Sequence, residues 1–416
     1  MCRLESHEKF EALKFISETL QKNKNDLGKI LSIESAKPLM YAIAEIERAA
    51  QTFLIAAEES KRLPGGYMSL DWTENGKNKE GIIRYFPAGI VAGISPFNFP
   101  MNLAVHKIAP AIAAGCPIIL KPASATPLST LALARIIAKA GLPKGAVSIL
   151  PMDRKTGNLL VTDDRIQLLS FTGSPEIGWE LKKQSGKKKV VLELGGNAGV
   201  IVSQTVEAEK IIDMCLNGAF SYSGQICIHA QRFFVHADKY EQFISLMMTA
   251  AKKLKEGDPL KADTKISVMI DEENAKRVEE WVNEAIKQGA KLICGGKRKG
   301  NFYLPTILTG TKAGMKVYDE EVFGPVICIE KFRTFEEAVT KINDTRFGLQ
   351  CGVFTDSVKE LNYAFKHIET GGIIHNDVPT LRFDQMPYGG IKDSGLGREG
   401  VKYAIMDMME AKVLVK

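Results

Sequence analysis

No two cysteines of this 416-residue chain stand in C-x-x-C spacing, and the seven present (Cys2, Cys116, Cys215, Cys227, Cys294, Cys328, Cys351) are odd in number and scattered. That argues against a disulfide framework or a zinc site and suits a reducing compartment. No apolar run is long enough to span a bilayer, and the first residues alternate charge and apolar character like an amphipathic helix, unlike a signal peptide. A cytoplasmic protein without a membrane partner is expected. No G-x-S-x-G elbow occurs, which disfavours a serine hydrolase. Internal repeats and low-complexity segments are also missing. Charge excess is small, at +6. The densest basic run, Lys187-Lys188-Lys189 with Lys182 and Lys183 nearby, has no interleaved aromatics. It reads as a solvated helix end and turn, so no nucleic-acid partner is expected.

What is present is ordinary for a globular protein: 45% hydrophobic and 25% charged residues. The length calls for two or more packed units. Residues 6–62 carry apolar positions at helical spacing (Phe10, Leu13, Ile16, Leu20). From Ile90–Ile94 onward short apolar strands alternate with helices: Pro117–Leu120, then a helix over Leu128–Ala140, then Ser148–Leu150, Leu168–Phe171 and Lys189–Leu192. This rhythm indicates a parallel, doubly wound sheet. A second α/β region runs from Gly195 to about Arg398. The tail Ala411–Val415 is strand-like and needs an edge, so it is expected to join Gly81–Phe86, or that segment of a neighbouring subunit.

Several segments carry chemistry. Gly395-Leu396-Gly397-Arg398-Glu399-Gly400 matches G-x-G-x-x-G, but no buried strand precedes it and no β-α-β unit fits after it. It reads as a structural turn. Ser170–Gly178 is the better phosphate-binding signal. A buried strand ends at Phe171, Gly173 turns the chain, Ser174 suits an N-cap and Pro175 the first helical position, leaving free N–H groups for a pyrophosphate. Taken alone it reads rather as an ordinary capped β-α turn. Lys121 closes a buried strand where ligands of open α/β sheets collect, and Asn98 lies between aromatics in Ser95–Pro100. Cys227 sits in Ser223-Gly224-Gln225-Ile226-Cys227, a thiol in a break of helical pattern. Glu193 ends an apolar strand, where a charge is costly to bury without a role.

Cys227, Glu193, Asn98 and Lys121 together resemble the aldehyde dehydrogenase superfamily along nearly the whole chain. The resemblance implies an α/β aldehyde dehydrogenase-like fold, with two doubly wound parallel-sheet domains and a small oligomerisation β-ribbon. The NAD(P)-binding domain is expected over 1–71 and 88–194, the catalytic domain over 195–402, and the ribbon over 72–87 and 403–416. It implies that Cys227 attacks an aldehyde carbonyl, that Asn98 donates to the oxyanion, and that Glu193 activates water, which places the chain in the hydrolytic rather than the acyl-CoA-forming branch. Lys121, Ser124, Gly173, Ser174, Glu321 and Phe323 fall at cofactor positions. Many NAD-preferring relatives carry Glu where Ser124 stands, so NAD or NADP is admissible.

By the same resemblance His106, Arg382 and Tyr388 fall at substrate-tunnel positions. An arginine and a histidine there suit a small anionic or hydroxylated aldehyde; equally, Arg382 reads as a surface arginine of an exposed loop, paired with Asp384. No metal site is expected. A homo-oligomer, dimer or tetramer, is. Family members normally carry a further N-terminal segment, so the alternative reading is a truncated, non-catalytic relative acting in binding or assembly.

Overall fold

Apolar residues at three- and four-residue spacing fold the first sixty positions into α1 (Ser6–Lys22), α2 (Lys24–Ser35) and α3 (Leu39–Ser60). α1 turns Leu13, Ile16 and Leu20 inward along one face. The computed structural model describes every residue from Met1 to Lys416.

Six strands make the first sheet, in spatial order Gly395–Leu396, Lys189–Glu193, Ile166–Thr172, Ile90–Ile94, Ile118–Lys121 and Val147–Ile149. All pairs are parallel except the one made by Gly395–Leu396. The chain leaves Ile90–Ile94 toward one edge and returns on its other flank at Ile166–Thr172. Such a reversal opens a crevice at the carboxyl ends of the strands, the usual ligand site of a doubly wound sheet. α4 (Asn102–Ala114) follows the first of these strands and is buried along its whole length, packed against α1 and α3.

A second sheet of seven strands runs Lys291–Cys294, Thr306–Thr309, Val326–Phe332, Ala230–His236, Ala198–Val202, Gln350–Phe354 and Gly372–His375. It is parallel apart from Lys291–Cys294 at one edge. The terminal strand Met409–Val415 pairs antiparallel with Glu80–Pro87 of the same chain, Val415 opposite Gly81 and Met409 opposite Pro87.

Three details depart from the sequence reading. Gly395–Leu396 is a strand rather than part of a turn, because Leu192 and Glu193 offer it a free sheet edge. The chain therefore rejoins the first sheet before residue 402. Val401–Asp407 is a helix whose Val401 and Ile405 enter the core around α3 and α4, so the ribbon begins only at Met409. Gly65–Ser69 adds a third strand to that ribbon on the far side of Glu80–Pro87.

Candidate active site

The segment that carries Cys227 is bent by three successive left-handed residues, Tyr222 (φ 48°), Ser223 (φ 53°) and Gly224 (φ 69°). Two of these bear side chains, for which that conformation costs about 1–2 kcal/mol each. The surroundings hold the bend. Ser223 Oγ donates to the Ser267 carbonyl at 2.6 Å, and Gln225 Oε1 accepts from the Ile270 N–H at 2.9 Å. A Cβ on Gly224 would meet the Gly324 carbonyl oxygen at 2.1 Å, so only glycine allows that close approach.

Asn98 faces this segment. Its Nδ2 donates to the Gln225 carbonyl at 3.0 Å, which fixes the carboxamide plane and leaves the second N–H for another acceptor. Behind it lies a buried ion pair. Lys37 Nζ donates to Glu45 Oε2 and, at 2.6 Å, to the Asn98 carbonyl. Glu45 Oε1 accepts from the N–H groups of Met101 and Asn102 at 3.0 and 3.1 Å, where α4 begins. The Lys37 ammonium also lies 3.7 Å from the Phe99 ring centroid and 4.3 Å from that of Tyr222. Sequence reading missed this pair, since nothing local marks Lys37 or Glu45 as partners.

Two cavities meet at Cys227. The larger, about 620 Å³, lies at the strand reversal of the first sheet. Asn98, Ser124, Gly173, Ser174, Glu321 and Phe323 line it together with Cys227. Pro175 opens the helix Pro175–Gln184 beside it, leaving first-turn N–H groups toward the cleft. Glu321 accepts from the Gly196 N–H at 3.0 Å, and the Phe97 and Phe323 rings meet edge-on at 5.7 Å. A Cβ on Gly195 would lie 2.4 Å from the Glu321 carboxylate. Lys121 ends its strand outside the lining, with its stem against Gly157. Arg346, also unforeseen, bridges Glu176 and Glu320 at 3.2 and 2.7 Å. A cleft of this volume with helix N–H groups, the Glu321 carboxylate and aromatic walls fits a dinucleotide.

The smaller cavity, about 200 Å³, opens on the other side of Cys227, with Arg48, Arg382, Tyr388, Tyr41, Asn217 and Thr380 among its walls. Cys227 is the one cysteine of the seven that lines both spaces. Burial pushes its thiol up to about 11, against a lowering contact from Tyr388. Glu193 is buried with neither carboxylate oxygen hydrogen-bonded. Burial first, and Glu399 second, hold it well above the usual carboxylate range, while Arg382, Lys107 and Arg398 pull the other way.

His106 requires a correction. It lines neither cavity. Its ring is buried within α4, where Nε2 meets Asp384 Oδ1 at 2.9 Å, and the carboxylate partner assigns the proton to that nitrogen. The exposed-loop alternative for Arg382 also fails. Its side chain is 5% exposed and donates to Glu399 Oε2 at 3.0 Å, not to Asp384. Asp384 instead pairs with Arg48 at 2.7 Å. Burial works to raise Asp384, but the His106 and Arg48 contacts outweigh it and hold the acid well below its ordinary range.

The sequence pattern described as the aldehyde dehydrogenase family matches residues 1–414. A 3-sulfolactaldehyde dehydrogenase of Priestia aryabhattai is 41% identical over 410 residues, covering 98% of this chain and 86% of that protein. Aldehyde dehydrogenase 21 from Physcomitrella patens, solved with its reaction product succinate, superposes with TM-score 0.98 at 46% identity, covering all of this chain and 87% of that one. Glyceraldehyde-3-phosphate dehydrogenase from Methanocaldococcus jannaschii, solved with NADP, gives TM-score 0.95 at 36% identity over 100% and 90% of the two chains.

Two outcomes follow from this geometry. With its thiol raised by burial, Cys227 in the ligand-free protein should be alkylated by iodoacetamide at a rate that climbs about tenfold per pH unit from pH 7 to 9, because the thiolate is the reactive form. Mass spectrometry of the Cys227 peptide reads that rate, and a plateau beginning below pH 8 would contradict it. Lys37→Met leaves Glu45 charged, buried and unpaired, which should cost about 3–5 kcal/mol. Urea denaturation measures the loss, and pairing the change with Glu45→Gln should recover part of it.

Proposed function

The chain belongs to the aldehyde dehydrogenase family, and from that membership we propose a role for each residue of the site. The protein is an NAD(P)-dependent oxidoreductase that converts an aldehyde to a carboxylic acid. The observation that carries the residue assignment is the position of Cys227 at the junction of the two cavities, with Asn98 tied to the carbonyl of Gln225 beside it.

Cys227 sulfur adds to the aldehyde carbonyl carbon, and the π pair moves to oxygen. The Asn98 carboxamide and the Cys227 backbone N–H receive that charge, a donor of this kind being worth about 3–4 kcal/mol in the transition state. NAD(P)⁺, when bound, supplies the hydride acceptor. The larger cleft would hold it through the first turn of Pro175–Gln184, Gly173, Ser174, Ser124, Glu321 and Phe323, with Lys121 just outside that lining. Glu193 then takes a proton from water as the water attacks the Cys227 thioester. The C–S bond breaks with its pair returning to sulfur. Because Glu193 is raised, its basic form grows as pH rises, and the hydrolytic step grows with it.

The substrate carries a small anionic tail, such as a carboxylate or sulfonate, with room for a hydroxyl. Arg48 and Arg382 both line the smaller cavity, and each keeps a buried Nε–H without a partner. Buried donors left unpaired are costly, and an anion relieves that cost. Tyr41, Asn217 and Thr380 offer polar groups to a hydroxylated chain. The succinate bound to the Physcomitrella patens relative is a product of this class. Seven unpaired cysteines suit the cytoplasm, and no helix is long and apolar enough to cross a membrane. The unpaired edge of Met409–Val415, with Val413, Leu414 and Val415 exposed, supports assembly into a homo-oligomer through the ribbon.

Cys227→Ala should abolish reduced-cofactor formation, and Glu193→Gln should give at most one equivalent per active site. Folded wild-type protein that stays silent on every aldehyde offered would overturn the enzyme reading for this chain. Arg48→Leu should lower kcat/KM for an aldehyde bearing a carboxylate by about ten- to a hundredfold, while a neutral aldehyde of equal length changes little. Equal losses on both substrates would remove Arg48 from tail recognition.

A further inference from the structure

The hydroxyl of Tyr388 sits at the tip of a buried ring (4% exposed) within an apolar cluster of Tyr222, Ile226, Ile228 and Leu349. Buried phenols find a hydrogen-bond partner, and the structure gives this one a single partner. That partner is Cys227 Sγ, at 3.4 Å. The ring is fixed from both ends. Its backbone exchanges hydrogen bonds with Glu399, N to O at 2.9 Å and O to N at 2.6 Å. The Glu399 side chain then holds Arg382 at 3.0 Å, and the Arg382 guanidinium lies 3.6 Å from the Tyr388 ring centroid. Backbone, carboxylate, guanidinium and ring form a closed loop that aims one hydroxyl at one sulfur.

We propose that Tyr388 is a catalytic residue whose O–H donates a hydrogen bond to the Cys227 thiolate, and that Arg382 is the positioning residue that clamps its ring. This role presupposes Cys227 as the nucleophile of the proposed reaction. The bond matters twice in a turnover. Before attack it stabilises S⁻ against protonation in a site whose burial opposes the charge. After water attacks the thioester, the C–S bond breaks and the electron pair returns to sulfur, where the same O–H meets the departing thiolate. No proton is transferred in either role. Tyr388 itself is held well above the ordinary phenol range, first by burial and then by the proximity of Cys227, so it keeps its proton and remains a donor. A cation over the ring face draws electron density from it and strengthens the donor. A hydrogen bond to a charged acceptor is the strong kind, and a thiolate gains far more from it than a thiol does.

The test is Tyr388→Phe, which removes one oxygen and preserves the ring. Melting temperature verifies the fold, and alkylation of the Cys227 peptide by iodoacetamide is followed against pH alongside steady-state kinetics. The expected result is an alkylation profile displaced toward alkaline pH by about one unit, equivalent to about tenfold less thiolate at fixed pH. kcat should fall by a similar factor, with KM for the aldehyde changed less than kcat. A role confined to packing or to lining the tunnel would leave the alkylation profile in place. An unmoved profile in the folded variant overturns the proposal, whatever happens to turnover. Arg382→Lys, which keeps a cation near Cys227 but removes the planar guanidinium from the ring face, should displace the profile in the same direction, and adding it to Tyr388→Phe should move the profile no further. Additive displacements would overturn the clamping role of Arg382. Turnover surviving in Cys227→Ala would instead remove the nucleophile assignment itself, so the two failures are separable.

Discussion

Lys37 and Glu45 form an ion pair with no exposure of either side chain, and the reacting geometry rests on it. Taking two ions from water is expensive unless every remaining donor and acceptor is used. Here the lysine divides itself between Glu45, the Asn98 carbonyl and two aromatic faces, while the carboxylate adds the two N–H groups that open α4. The pair therefore ties α3 to the start of α4, fixes the backbone of Asn98, and presses Tyr222 into the bend that presents Cys227. A hydrophobic replacement could fill the same volume, but it would leave two amides and a carbonyl without partners.

A second run of buried charges extends from the smaller cavity toward Glu193. Arg48 pairs with Asp384, Asp384 with His106, and Arg382 with Glu399, which also faces Lys107 at 3.3 Å. Lys107 in turn donates to Thr172 at 2.7 Å, at the end of a central strand of the first sheet. His106 and Lys107 are neighbours on α4 and serve opposite ends of this run. Such networks are rigid because a carboxylate, lysine or arginine of the run left alone would be an uncompensated charge, and His106, which burial holds below the usual imidazole range, would be an unpaired donor. The wall of the smaller cavity, Glu193 and the first sheet are thus held in one frame.

Local pattern made much of the fold legible. Apolar periodicity marked α1 to α3 and the strands of the first sheet, and the terminal strand's need for an edge pointed to Gly81–Phe86, of this chain or of a neighbour, the structure pairing it within the chain. The likeness carried by Cys227, Glu193 and Asn98 singled out these residues, and the structure brings Asn98 and Cys227 to the wall of one cavity. What could not be read were partners set by tertiary packing. His106 finds Asp384 across 278 residues of chain, and Arg382 turns inward because Glu399 waits there. A polar residue in a loop-like segment gives no sign of which buried charge will claim it. Gly395–Leu396 was opaque for the same reason, since its two-residue ladder exists only because the edge formed by Lys189–Glu193 is free.

The resting state looks unsuited to catalysis at first, because burial disfavours both the Cys227 thiolate and the Glu193 carboxylate. The same burial gives the site its strength. In a medium of low effective dielectric, a fixed dipole acts on developing charge with several times its effect in water, so the Asn98 carboxamide and the Tyr388 hydroxyl both gain from the surroundings that oppose ionisation. The cost falls once, on forming the thiolate. In the proposed reaction the gain recurs at each point where charge moves between sulfur and oxygen. Arg382, turned inward by Glu399, supplies positive charge close to both acids without occupying the junction where the carbonyl must sit. A site built this way needs few polar groups, provided each is aimed by a neighbour that cannot move.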